Sequence, residues 1–180
     1  MALFLFSFIN QPQAQSTINN TESETAIQNA VLFHINQYRQ QHHLEPLKMN
    51  PVMVKEARQH SLDMANHRIP FGHKYFSHRI STIYSQIKEG VAASENVAYN
   101  YKNAQIVVKN WLLSPGHKKN IDGPYNLTGV GVIRDTQGKL YFTQIFLRTE
   151  SQNKTFKRVK QNSFSNSLSL PFKLDFKKLI

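Results

Sequence analysis

The sequence predicts an α+β domain in which helices lie on both faces of a small antiparallel sheet. Three observations carry this. An apolar helical face runs through Ala104, Val107, Val108, Trp111 and Leu112, spaced i, i+3, i+4, i+7 and i+8. Leu127 to Ile133 and Leu140 to Leu147 are β-type runs around a turn at Asp135 to Gly138. Along the second run Leu140, Phe142, Gln144 and Phe146 share one face, and Tyr141, Thr143, Ile145 and Leu147 share the other. Both faces are apolar enough to need cover, which asks for helices on each side of the sheet.

The chain's 180 residues suit one domain plus tails, and 40% hydrophobic residues are enough for a packed core. The absence of cysteine excludes a disulfide framework and a thiolate metal site. A net charge of +11 attracts polyanions in general. Much of it is local: residues 151 to 180 hold seven Lys or Arg and one Asp. That segment has no periodicity and reads as a disordered basic tail from residue 150 onward.

Taken in order, Leu3 to Ile9 is a short apolar run resembling the core of a secretory signal, though no Lys or Arg precedes it. It is too short to span a bilayer, as is every later stretch. The polar residues up to Glu24 read as a linker, and the domain is expected over residues 25 to 149. A first helix runs from about Thr25 through Gln41, with Ile27, Ala30, Val31, His34 and Tyr38 on its face. Asn50-Pro51 starts a second, with Asn as cap and Pro in the first turn. It carries Met53, Ala57, His60, Ser61 and Met64 on one side and ends near His67. His34 and His60 lie on apolar faces and read as structural. A short helix runs from His78 towards Gln86. Ser114-Pro115-Gly116 breaks the helix through Trp111.

Chemistry concentrates at three places. His117 follows that break, His73 closes the loop Pro70 to His73, and Glu95 lies in Ser94 to Tyr99, each read as the edge of a helix. Two imidazoles and a carboxylate from such edges are expected to converge, within a few ångströms, on one site. They read either as a hydrogen-bonded polar cluster, with Glu95 accepting from His and backbone donors and tying the helices to the sheet, or as zinc ligands, neutral imidazoles and an ionised carboxylate that leave a fourth position open. Asn96 and Asn120 read as partners for buried backbone groups, and Trp111 as core. Ser94 and Ser114 are the hydroxyls nearest the site.

The motifs NQYR (36–39), HSLDMA (60–65), FGH (71–73), SENVAY (94–99), WLLSPGHKKNI (111–121) and YFTQIF (141–146) occur in an order that resembles the CAP superfamily of cysteine-rich secretory, antigen 5 and pathogenesis-related 1 proteins. The likeness covers roughly residues 28 to 148 and is nearest to the cysteine-free bacterial branch. It implies a three-layer α-β-α sandwich with a surface cleft lined by His73 and Glu95. In the eukaryotic branch two His and two Glu line the cleft, sometimes around zinc. Here Ser114 and Tyr141 stand at two of those positions, with Tyr141 expected at the cleft edge and His117 replacing an imidazole from another direction.

The resemblance implies a secreted, monomeric binding module, extracellular or periplasmic, that takes a divalent metal or a small apolar ligand such as a lipid, or a cell-wall polymer. No cofactor is required by it, and zinc at His73, Glu95 and His117 is the tentative metal set. A zinc-dependent hydrolase in the same cleft is the first alternative. Polyanion binding through the basic tail is the second, and no motif points to specific nucleic-acid recognition.

Overall fold

The computed structural model describes residues 22 to 150. The N-terminal apolar run and the basic tail lie outside them. The first helix, α1 (Glu24–Gln41), is capped by the Ser23 side chain, which accepts from the Ala26 amide. A two-residue strand, β1 (Lys48–Met49), precedes α2 (Pro51–Ala65). As expected, Asn50 caps α2, its Oδ1 accepting from the amides of Val52 and Met53, with Pro51 in the first turn. Next come α3 (Phe76–Gln86), β2 (Gly90–Tyr99), α4 (Ala104–Leu113), α5 (Pro115–Asp122), β3 (Leu127–Arg134) and β4 (Leu140–Thr149).

Three local expectations need correction. Ser114 to Gly116 is a junction between helices, because Pro115 opens α5 and its missing N–H is no loss there. His117 is therefore inside the first turn of a helix, not beyond one. Glu95 is likewise in the interior of a ten-residue strand, β2. Ala92, Ala93, Glu95 and Asn96 hide the alternation that would announce that strand; its pairing with β4 along its length holds it. On α1 the buried line runs through Ile27, Val31, Ile35 and Arg39, with His34 and Tyr38 only half-buried. Arg39 is drawn inside because its guanidinium donates to the carbonyls of Glu45, Ile121, Gly123 and Tyr125. It thereby ties the end of α5 to α1.

The sheet order is β1-β3-β4-β2. It is antiparallel except where β1 runs parallel to β3. β4 is central, pairing Gln144 with Val130 on one side and with Asn96 on the other. Its two faces are covered as their sequence required. Phe142 and Phe146 pack with Val31 and Ile35 of α1, Val107 and Trp111 of α4, and Ile121 of α5. Ile145 and Leu147 pack with Met53 and Ala57 of α2 and Ile80 and Ile83 of α3. The result is the α-β-α sandwich.

α2 lies almost directly on β3. A Cβ at Gly129 would come within 2.2 Å of the Met53 backbone, and one at Gly131 within 2.2 Å of the Ala57 backbone. Ser61 fastens the contact, donating to the Gly131 carbonyl and sharing a 2.8 Å hydrogen bond with Thr143. One turn of α2 is thus fixed against the sheet, and it is the turn that carries His60. Among the described residues no helix is long and apolar enough to cross a membrane.

Candidate functional site

Strand parity decides what Glu95 meets. Glu95 points to the α2/α3 side, as its neighbours Ala93 and Val97 do, while Asn96 and Ala98 point to the α1/α4/α5 side. Glu95 is 6% exposed, so its charge needs partners inside the fold. Arg79 on α3 supplies a two-point pair, with Nε at 3.0 Å and Nη2 at 2.8 Å from Oε2, and Nη2 also 2.8 Å from Oε1. His73 Nδ1 lies 2.9 Å from Oε1, and His60 Nε2 lies 3.9 Å from the same oxygen. With Glu95 acting as acceptor, His73 donates from Nδ1, and about half of its side chain is exposed.

The loop that presents His73 is pinned from beneath. His60 Nε2–H donates to the Gly72 carbonyl at 2.8 Å, and Arg79 Nη1 donates to the Lys74 carbonyl at 2.7 Å. Gly72 has φ +136°, a conformation that disfavours a side chain, and Tyr75 is held at φ +62°. His60 is structural and hydrogen-bonded, as its place on an apolar face suggests, while Arg79 is the residue of the cluster that the sequence reading missed. The spacing of His60 on an apolar face was visible, but its partner is a backbone carbonyl twelve residues away.

His117 is placed differently. Asn96 Nδ2 donates to the His117 carbonyl, and Asn120 donates to both Asn96 Oδ1 and the Glu95 carbonyl. These amides satisfy backbone groups, as expected of them. They also hold α5 on the Asn96 side of β2, opposite to the Glu95 side chain. The structure therefore joins His73 to Glu95 and adds His60 and Arg79, while His117 approaches around the edge of β2. Among the described residues no three His, Asp or Glu side chains form a group that could hold a metal. Both oxygens of Glu95, the carboxylate of the zinc set read from the sequence, accept from Arg79.

Burial lowers the pKa of His60, and Arg79 lowers it further, against an opposing pull from Glu95. Burial also lowers that of His117, with His73 close enough to add to the effect. A histidine depressed in the fold binds fewer protons there than when unfolded. Its contribution to stability is present above the unfolded value of 6.5 and is lost as pH falls through the folded value. Urea denaturation is expected to show stability rising between about pH 5 and pH 7. His60→Gln, which keeps a donor for the Gly72 carbonyl, should flatten that rise. An unchanged slope would remove His60 as its source.

Beside this cluster is a cleft of about 430 Å³, whose walls include Phe71, Tyr99, Trp111, Leu113, Ser114 and His117. The Phe71 and Tyr99 rings sit 4.8 Å apart, and both are about half-exposed at the rim. Leu113 is 73% exposed. Tyr141, expected at the cleft edge, is buried behind Tyr99 with ring centroids 5.6 Å apart, so it backs the wall. Burial, then Asp135 and Tyr99, raise its pKa. Trp111 is core and wall at once, its Nε1 directed at the Val97 carbonyl. His117 Nδ1 is buried without a partner among the described residues, and so is Ser94 Oγ.

With this geometry in place, the comparisons with known proteins are informative. The family model of the cysteine-rich secretory proteins, CAP, matches residues 32–146. The chain is 32% identical over 142 residues to the uncharacterized protein YkwD of Bacillus subtilis, a match covering 75% of this chain and 52% of that one. The chain thus spans about half the length of that curated relative. An extracellular protein containing an SCP domain from Bacillus anthracis superposes with a TM-score of 0.60 at 26% identity, over 70% of this chain and 41% of that one. An outer surface protein of Borrelia burgdorferi superposes with a TM-score of 0.63 at 18% identity, over 71% and 96%. At that identity the likeness is one of fold.

Proposed function

The chain belongs to the cysteine-rich secretory protein (CAP) family, and from that premise we propose that it is a non-enzymatic binding module whose cleft takes a small, largely apolar ligand. The observation that carries the reading is the cleft itself. Aromatic and aliphatic side chains form its walls, and large apolar groups are left exposed at its rim, as in a ligand pocket. His117 offers a polar atom with no partner among the described residues, a point where a ligand hydroxyl or carbonyl could be fixed.

Two features speak against catalysis. Glu95 is paired with Arg79 and is less available as the carboxylate of a zinc hydrolase. Among the described residues Ser94 Oγ has no hydrogen-bond partner, so none holds it as an activated nucleophile. Export from the cytoplasm is part of the proposal, on the likeness to the extracellular protein of Bacillus anthracis.

Trp111 is the chain's single tryptophan and forms part of the cleft wall, so its emission reports on occupancy. Titration with decanol, an uncharged amphiphile, is expected to change that emission saturably. Leu113→Asp, at an exposed position, should weaken binding by about tenfold through lost apolar contact. A non-saturable response in the wild type would sink the reading. A parallel zinc titration, with His73→Ala and His117→Ala together, tests the metal alternative: zinc uptake that disappears in the double variant would restore it.

A further inference from the structure

At the closed end of the β3–β4 hairpin, where the segment from β2 to α4 crosses it, lies a separate recess of about 330 Å³. Lys102, Arg134 and Lys139 all line it, together with the neutral donors Asn100, Tyr101 and Gln137, and no carboxylate among the described residues does. Among the described residues none of the three cations forms an ion pair. We propose that this recess is a binding site for a phosphate-type oxyanion.

The frame around it is fixed before any ligand arrives. Asn100, at φ +65°, donates its amide to the Leu140 carbonyl and ties the crossing segment to β4. Asp135 Oδ1 accepts from the amides of Gln137 and Lys139 and closes the turn, and Glu24 Oε1 accepts from the Arg134 amide, so both nearby carboxylates are held by backbone outside the lining of the recess. Gly138 takes φ +81° there, and its carbonyl accepts from Arg134 Nη1 at 3.0 Å. That contact orients the Arg134 guanidinium at the surface.

Gathering three like charges at one recess is unfavourable by itself and is relieved by an anion. Several charged and neutral donors suit a multiply charged oxyanion with three or more acceptor oxygens. A monocarboxylate would leave most of them unused. Tyr101 also lines the apolar cleft, so the two sites are neighbours, but the anion site stands without the cleft reading.

The test is residue-resolved amide NMR of the full chain, titrated with inorganic phosphate at constant ionic strength. Saturable shifts are expected at Lys102, Gly138 and Lys139. The double variant Lys102→Ala/Lys139→Ala, both at exposed positions, should weaken them about tenfold or more with an unchanged melting temperature. Shifts that stay linear, or that are as large at Lys118 and Lys119, would overturn the proposal, since they report only general charge attraction. Co-sedimentation with phosphatidylcholine vesicles containing phosphatidic acid then identifies the source. Given saturable shifts, less co-sedimentation of the double variant than of the wild type assigns the site to a lipid headgroup. Equal co-sedimentation assigns it to a soluble phosphate.

Discussion

Replacing Arg79 with alanine is expected to destabilise the protein by about 3–5 kcal/mol, because it strands a buried carboxylate. The Arg79 and Glu95 side chains are only 7% and 2% exposed, so water cannot replace the lost partner. Arg79 also holds the Lys74 carbonyl, and with it the loop that presents His73. Guanidinium denaturation measures the loss. Adding Glu95→Gln to the alanine variant should recover part of it, since the stranded charge is then gone. The pH dependence gives a second readout. Without the guanidinium, burial favours the protonated form of the carboxylate even with His73 still donating to it, so the folded variant is expected to bind more protons than its unfolded chain. Its stability should therefore improve towards acid, opposite in sign to the contribution of the depressed histidines. A single-variant loss below about 1 kcal/mol would mean that the pair does not hold the site together.

Gly131→Ala is the second large effect, with an expected cost of about 3 kcal/mol from overpacking. The added Cβ would lie 2.2 Å from the Ala57 carbonyl carbon and 2.3 Å from the Arg58 nitrogen. Both are backbone atoms of α2, so no side chain can rotate away and the helix must lift from β3. Lifting α2 stretches the Ser61 contacts and withdraws His60 from Gly72. The variant is thus expected to lower the melting temperature and to disturb the His73 loop together. Gly138→Ala serves as a contrast: nothing lies within 4 Å of its Cβ, so its cost comes from φ +81° alone and should be smaller. Equal costs for the two would show that close packing of α2 is not what requires Gly131.

The layered fold was legible because its signals are local. The Asn50-Pro51 start, the apolar line from Ala104 to Leu112 and the two faces of Leu140 to Leu147 each follow from a period or a cap within a few residues. The same holds for Asn96 and Asn120, whose role as partners for buried backbone was read correctly. Strand β2 was not legible, because its small and polar residues are made a strand by pairing with β4. Arg39 misled the α1 reading for a related reason: its burial depends on four carbonyls, three of which lie more than eighty residues away.

The sequence alone determined that helices must cover both faces of the sheet, and that His73 and Glu95 belong to one place. Only the tertiary structure decided what that place is chemically. Glu95 sits mid-strand, so parity sends its carboxylate to one side of β2, while Asn96, one residue on, holds α5 and His117 on the other. Arg79, sixteen residues away in sequence, then fills both carboxylate oxygens. Which charge neutralises a buried acid is a matter of packing between separate elements, and no local pattern in the chain encodes it.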